Sequence, residues 1–135
     1  MYTVEVSWLA VIAGAISTMV VGFVWYSPVL FAKQWLKLSG LSDAAVKQGA
    51  GTGYALTFVG ALFMAYVLAH FISYLGATTW MDGLTTGLWI SSGFVATAYL
   101  SDFVFNKKPR NLYFITAGYQ VVAISVAGAI IAALS

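Results

Sequence analysis

The sequence predicts an all-α polytopic membrane protein: four transmembrane helices in a bundle, with a short interfacial amphipathic helix after the first. Composition is the first observation behind this reading. Of 135 residues, 61% are hydrophobic and 7% charged, and the mean hydropathy is +0.91, whereas a soluble domain carries about 25% charged residues. So few charges cannot coat a water-soluble globule of this size. The second observation is where the charges fall. They cluster in short patches and leave four charge-free segments, residues 6–32, 48–81, 83–101 and 111–135. A helix rises about 1.5 Å per residue, so about 20 residues cross a hydrocarbon core of roughly 30 Å, and each segment allows one crossing. The third is continuity. A membrane β-barrel needs alternating polarity over at least about eight strands, and these runs are apolar throughout. Aromatic content of 16% with only two prolines excludes disorder and fibrous repeats.

The whole chain, 1–135, is expected to form a single transmembrane domain. Its first helix is expected over 6–27. A secretory signal has a basic leader and an apolar core of about 7–15 residues; here Glu5 leads and the apolar stretch is much longer, so a retained helix is expected. The helix closes on Trp25, Tyr26, Ser27 and Pro28. Proline pushes the residue before it out of the α region yet suits a first helical turn, so Ser27-Pro28 marks a break and a restart, with an interfacial helix over 28–39. Phe31, Trp35 and Leu38 share one face of it and Lys33 and Lys37 another, the pattern of aromatic anchors with snorkelling lysines. The segment reads either as a gate or docking element at a cytoplasmic mouth, or as a belt and connector that sets an interhelical angle. Gly40 is the expected stop, and Ser42 with Asp43 the expected cap of the second transmembrane helix, 49–76. The third (83–102) is the most polar, with Thr85, Thr86, Ser91, Ser92 and Thr97, and the fourth covers 111–134.

Orientation follows from the basic residues. Lys33, Lys37 and Lys47 precede the second helix and Lys107, Lys108 and Arg110 precede the fourth, with none elsewhere. By the positive-inside rule both basic loops are cytoplasmic and both termini lie outside, in the inner (plasma) membrane of a cell. The chain has no cysteine, which removes disulfides and thiolate metal sites. The basic residues flank membrane segments, so no nucleic-acid partner is expected.

The run Gly22-Phe23-Val24-Trp25-Tyr26-Ser27-Pro28-Val29-Leu30-Phe31, with Trp35 and Gly40 behind it, resembles a bacterial membrane family known as domain of unknown function 1761. So do Gly93-Phe94-Val95-Ala96-Thr97 and Ala117-Gly118-Tyr119. The resemblance spans essentially the whole chain and implies a four-helix inner-membrane protein, with no activity or ligand attached. Family members often carry His where this chain has Gln120, so a titrating role does not transfer to that position.

Small residues recur at helical spacing: Ala10, Gly14 and Ser17; Gly83, Gly87 and Ser91; Gly118, Ser125 and Ala132. In lipid such stripes let backbones approach closely. Gly14, Gly83, Gly87 and Gly118 are therefore expected packing positions, and three stripes on four short helices lead us to expect a homo-oligomer in the bilayer, a dimer by default.

Polar groups at membrane depth are costly and worth naming. Tyr66, His70 and Ser73 share a face of the second helix. His70 reads either as a neutral ring bonded to a tyrosine or carbonyl, or as a ligand-contacting or pH-sensitive group at an outer vestibule, with Asp82 placed to reach back towards it. Thr85, Ser92 and Tyr99 recur every seven residues on the third helix and lead to Asp102. Tyr113, Thr116 and Gln120 lie at similar depth on the fourth. With Trp25 and Tyr26 these are candidates to line an inner cavity. Asp102 reads alternatively as a rim carboxylate paired with Lys107 or Arg110, and Gln120 as an interhelical hydrogen bonder.

No catalytic constellation assembles: there is no HExxH, P-loop, GxSxG or paired intramembrane carboxylate, and one histidine makes neither a metal site nor an evident haem site. No enzyme, metal or cofactor is expected. Two functional expectations stand. One is an oligomeric conduit or binder for a small solute or ion. The other is a non-transporting scaffold or accessory module that packs on itself, a partner protein or lipid.

Overall fold

The computed structural model describes residues 4–135. They form α1 (Trp8–Trp25), α2 (Ala32–Ser39), α3 (Asp43–Lys47), α4 (Ala50–Tyr74), α5 (Trp80–Ile90), a π-helical turn (Ser91–Ala96), α6 (Thr97–Phe105) and α7 (Arg110–Leu134). There is no strand among them. Helices α1, α4 and α7, and the continuous rod of α5, π turn and α6, are each long and apolar enough to cross a membrane. Large apolar side chains such as Leu9, Leu56, Phe63, Trp89 and Phe114 stand exposed along them, as lipid-facing residues do and as a soluble monomer's rarely do in such numbers.

Local chemistry sets the ends. Ser7 accepts the Ala10 amide at the start of α1. Thr79 and Asp82 form a reciprocal capping box on α5: Asp82 N–H donates to Thr79 Oγ1, and the Asp82 carboxylate accepts the Thr79 amide. Gly40 stops α2 in the left-handed conformation at φ +73°, a geometry that costs glycine nothing.

The third spanning segment runs Trp80–Phe105 rather than over 83–102, its start set by the Thr79–Asp82 capping box. The interfacial helix starts at Ala32 rather than at residue 28, because the Ser27 carbonyl accepts both Leu30 and Ala32 amides and the Trp25 carbonyl accepts that of Phe31. These bonds fold 26–31 into turns. Ser42 does not cap the second spanning helix. It caps the separate α3 by accepting the Ala45 amide, and Gly49 at φ +74° then redirects the chain into α4.

Helix α7 is central and packs on α1, α4 and the α5–π–α6 rod. The main buried cluster lies in the half of the bundle nearest both termini, and alanine dominates it: Ala10, Ala15, Ala65 and Ala127 close around Ile72 and Ile131; nearer the basic end Phe103, Leu112, Ile115 and Ala117 are buried as well. The glycines make this closeness possible. A Cβ on Gly87 would come within 2.6 Å of the Ile124 carbonyl, one on Gly14 within 2.9 Å of Ile131, and one on Gly83 would strike the Gly128 carbonyl. Gly118 lies under Trp25, 3.1 Å from where its Cβ would stand. The glycines of the predicted stripes are thus used between helices of one chain.

Candidate functional site

The other half of the bundle, at the basic end, is built differently. No residue of α4 from Ala50 to Gly60 is buried, whereas Ala61, Ala65, Leu68, Ala69 and Ile72 all are. Helix α4 therefore packs closely on α1 and α7 along its second half and is splayed from them along its first, where Tyr54 still meets Phe23 and Phe58 still meets the core. The opening is a cleft made of three adjoining hollows. The mouth, about 550 Å³, lies between Tyr26, Trp35, Asp43 and Tyr54. A middle hollow of about 220 Å³ shares Tyr26 and Tyr54 with it and adds Phe23 and Tyr119. The innermost, about 300 Å³, shares Thr57 and Tyr119 and ends at Thr18, Met64 and Gln120.

Hydrogen bonds to backbone fix the walls. Tyr119 Oη donates to the Thr18 carbonyl at 2.9 Å, tying α7 to α1, and the same hydroxyl lies 3.1 Å from the place a Cβ on Gly22 would take. Trp25 Nε1 donates to the Ile115 carbonyl at 2.9 Å while its ring packs on Phe31, centroids 4.9 Å apart. That pair anchors the turn carrying Ser27, whose hydroxyl donates to Val24 O at 2.7 Å, and Pro28, which lines the mouth. Tyr26 sits between two other rings, Tyr119 at 5.4 Å and Trp35 at 6.0 Å, and Tyr54 stands 5.5 Å from Phe23. The cleft is thus aromatic, with a few hydroxyls, one amide and a single charged lining residue, Asp43.

Of the residues singled out in the sequence, Tyr26, Pro28, Trp35, Thr116 and Gln120 line this cleft, and Tyr99 reaches it indirectly through a 3.5 Å contact between its hydroxyl and Gln120 Nε2. Ser92 does not join them. The π turn holds about one residue more than an α turn and so rotates everything after it by about 100°. Thr85 and Ser92 are exposed while Tyr99 turns inward. Asp102 lies at the rim and accepts from Lys108 Nζ at 2.7 Å and from the Asn106 amide, so its partner is Lys108 rather than Lys107 or Arg110.

Tyr66 and His70 form a separate group at the other end, with centroids 4.5 Å apart and Trp8 stacked on Tyr66 at 5.5 Å. His70 Nδ1 lies 2.8 Å from the Tyr66 carbonyl. A carbonyl only accepts, so Nδ1 carries the proton. Asp82 is engaged in its capping box and does not turn to His70. No group of three potential metal ligands occurs among the described residues. Sequence reasoning missed Tyr54, Thr57 and Thr18. The spacing Tyr54, Thr57, Gly60 along one face of α4 was the available signal.

Fold and cleft together define an α-helical membrane protein with an aromatic hollow at its basic end. The chain belongs to the DUF1761 family, described as a protein of unknown function, whose model matches residues 9–132. No curated protein and no solved structure is detectably similar to it.

Proposed function

We propose that the protein binds a small solute in the cleft between α1, α4 and α7, without catalysing a reaction on it. The observation that carries this is the splay of α4 at Gly60: the same three helices that pack Ala against Ala near the termini leave a lined hollow at the basic end. Clefts with apolar and aromatic walls and a few polar groups are the usual form of small-molecule sites. By the distribution of lysines and arginine the cleft opens to the cytoplasm, in the plasma membrane. The closed half of the bundle would block passage through one protomer, so conduction requires α4 to move or a second copy to complete a path; binding requires neither.

A thermal-shift screen of chemically diverse small molecules on purified protein tests the reading. Stabilising compounds are expected, and their effect should vanish in Thr57→Trp, which fills the middle of the cleft. Stabilisation unchanged in Thr57→Trp, or none with any compound, contradicts it.

A second reading has its own observation. Nothing lies within 4 Å of a Cβ on Gly51 or Gly53 of α4, neither of which lines the cleft, an open helix surface suited to a second copy, a dimer by default, or to a partner protein. In that reading Gly51→Leu with Gly53→Leu changes the oligomeric state, while an unchanged state removes it.

A further inference from the structure

We infer that the ligand of the cleft is an organic cation with an apolar body, an assignment that rests on the binding role just proposed. The mouth presents the rings of Tyr26, Trp35 and Tyr54, and Tyr119 and Phe23 continue the aromatic wall inward. An aromatic face attracts a cation lying within about 6 Å of its centroid, and the attraction grows as water is excluded. Several rings around one hollow form the arrangement that recognises alkylammonium groups.

Charge points the same way. Asp43 is the only charged residue lining any of the three hollows, and its carboxylate makes no ion pair among the described residues. Lys47, one turn further along α3, is exposed and makes no ion pair with it. Lys37 lines a different hollow, across α2, with Gln34 and Asn111, and Lys33 lies exposed on the polar face of α2. An anion would meet a carboxylate and the electron-rich faces of the rings. A neutral apolar solute would leave the carboxylate unanswered.

The experiment uses the full chain in lipid nanodiscs, with empty nanodiscs subtracted, and follows tryptophan fluorescence. Two probes differ by one atom and one charge: benzyltrimethylammonium and its neutral isostere neopentylbenzene. Benzenesulfonate serves as the anionic control. The cation should bind about tenfold more tightly than the isostere. Tyr54→Leu, at an exposed position of α4 touching only Phe23 among the rings, and Asp43→Asn should each erase several-fold of that margin. Equal binding of the pair, preference for the sulfonate, or a margin that survives both substitutions overturns the cation assignment and leaves the cleft standing as a site. Failure of all three probes to bind also overturns it, and the thermal-shift screen then decides separately whether the cleft binds anything else.

Discussion

The Tyr119 hydroxyl on α7 donates to the Thr18 carbonyl on α1 across 2.9 Å, and the same tyrosine ring walls two of the three hollows of the cleft. One side chain thus both joins two helices and shapes the space between them and α4. Tyr119→Phe keeps the ring and removes the bond. Interhelical hydrogen bonds in membranes contribute about 0.6 kcal/mol on average and at most about 1.7 kcal/mol. A loss of that size on reversible unfolding in detergent is expected, with the bundle intact.

The glycines divide into two kinds, and substitution should separate them. At Gly83 an added methyl strikes the Gly128 carbonyl, a backbone atom that cannot swing away. Gly83→Ala should cost about 1–3 kcal/mol or more, as overpacking does. At Gly60 nothing lies within 4 Å, so Gly60→Ala should be neutral or stabilise by up to about 1 kcal/mol through helix propensity. Paired melting curves check the contrast, and equal effects at both positions contradict this packing.

His70 faces a carbonyl acceptor, and that fixes its tautomer. Long-range nitrogen–proton correlation spectra of labelled protein should show the proton of the neutral ring on Nδ1. A ring protonated on Nε2 would mean that the 2.8 Å contact with Tyr66 is not a hydrogen bond.

Asp102 and Lys108 form an ion pair whose side chains are 42% and 43% exposed. Water screens such pairs and their net contribution is small. Asp102→Asn should leave the melting temperature within error, and a large drop would assign Asp102 a structural role that its exposure does not support.

The number of helices and most of their ends were legible because charge is expensive in hydrocarbon: the gaps between charged patches fix the spans, and Gly40 stops α2 where a left-handed residue is expected. The faces of the helices were less legible. Lipid is as apolar as a protein core, so the run through Leu56, Val59 and Phe63 reads the same whether α4 packs or stands free. The stripes of Gly83 and Gly87 announced a close contact without saying whether its partner lay in the same chain; it does, on α7. The π turn was not legible because its weak helix formers, Ser91, Ser92 and Gly93, are common in membrane helices and do not by themselves specify a π turn. That one turn moved Ser92 off the face of Tyr99.

Helix α4 splays from α1 and α7 on the basic side of Gly60 and leaves a cleft between them. The chain has no cysteine, so single substitutions report cleanly. Thr57→Cys should react with a water-soluble maleimide in nanodiscs at a rate far above that of Ala65→Cys, whose site is fully buried. An unreactive Thr57→Cys, or equal rates at the two positions, would contradict the cleft.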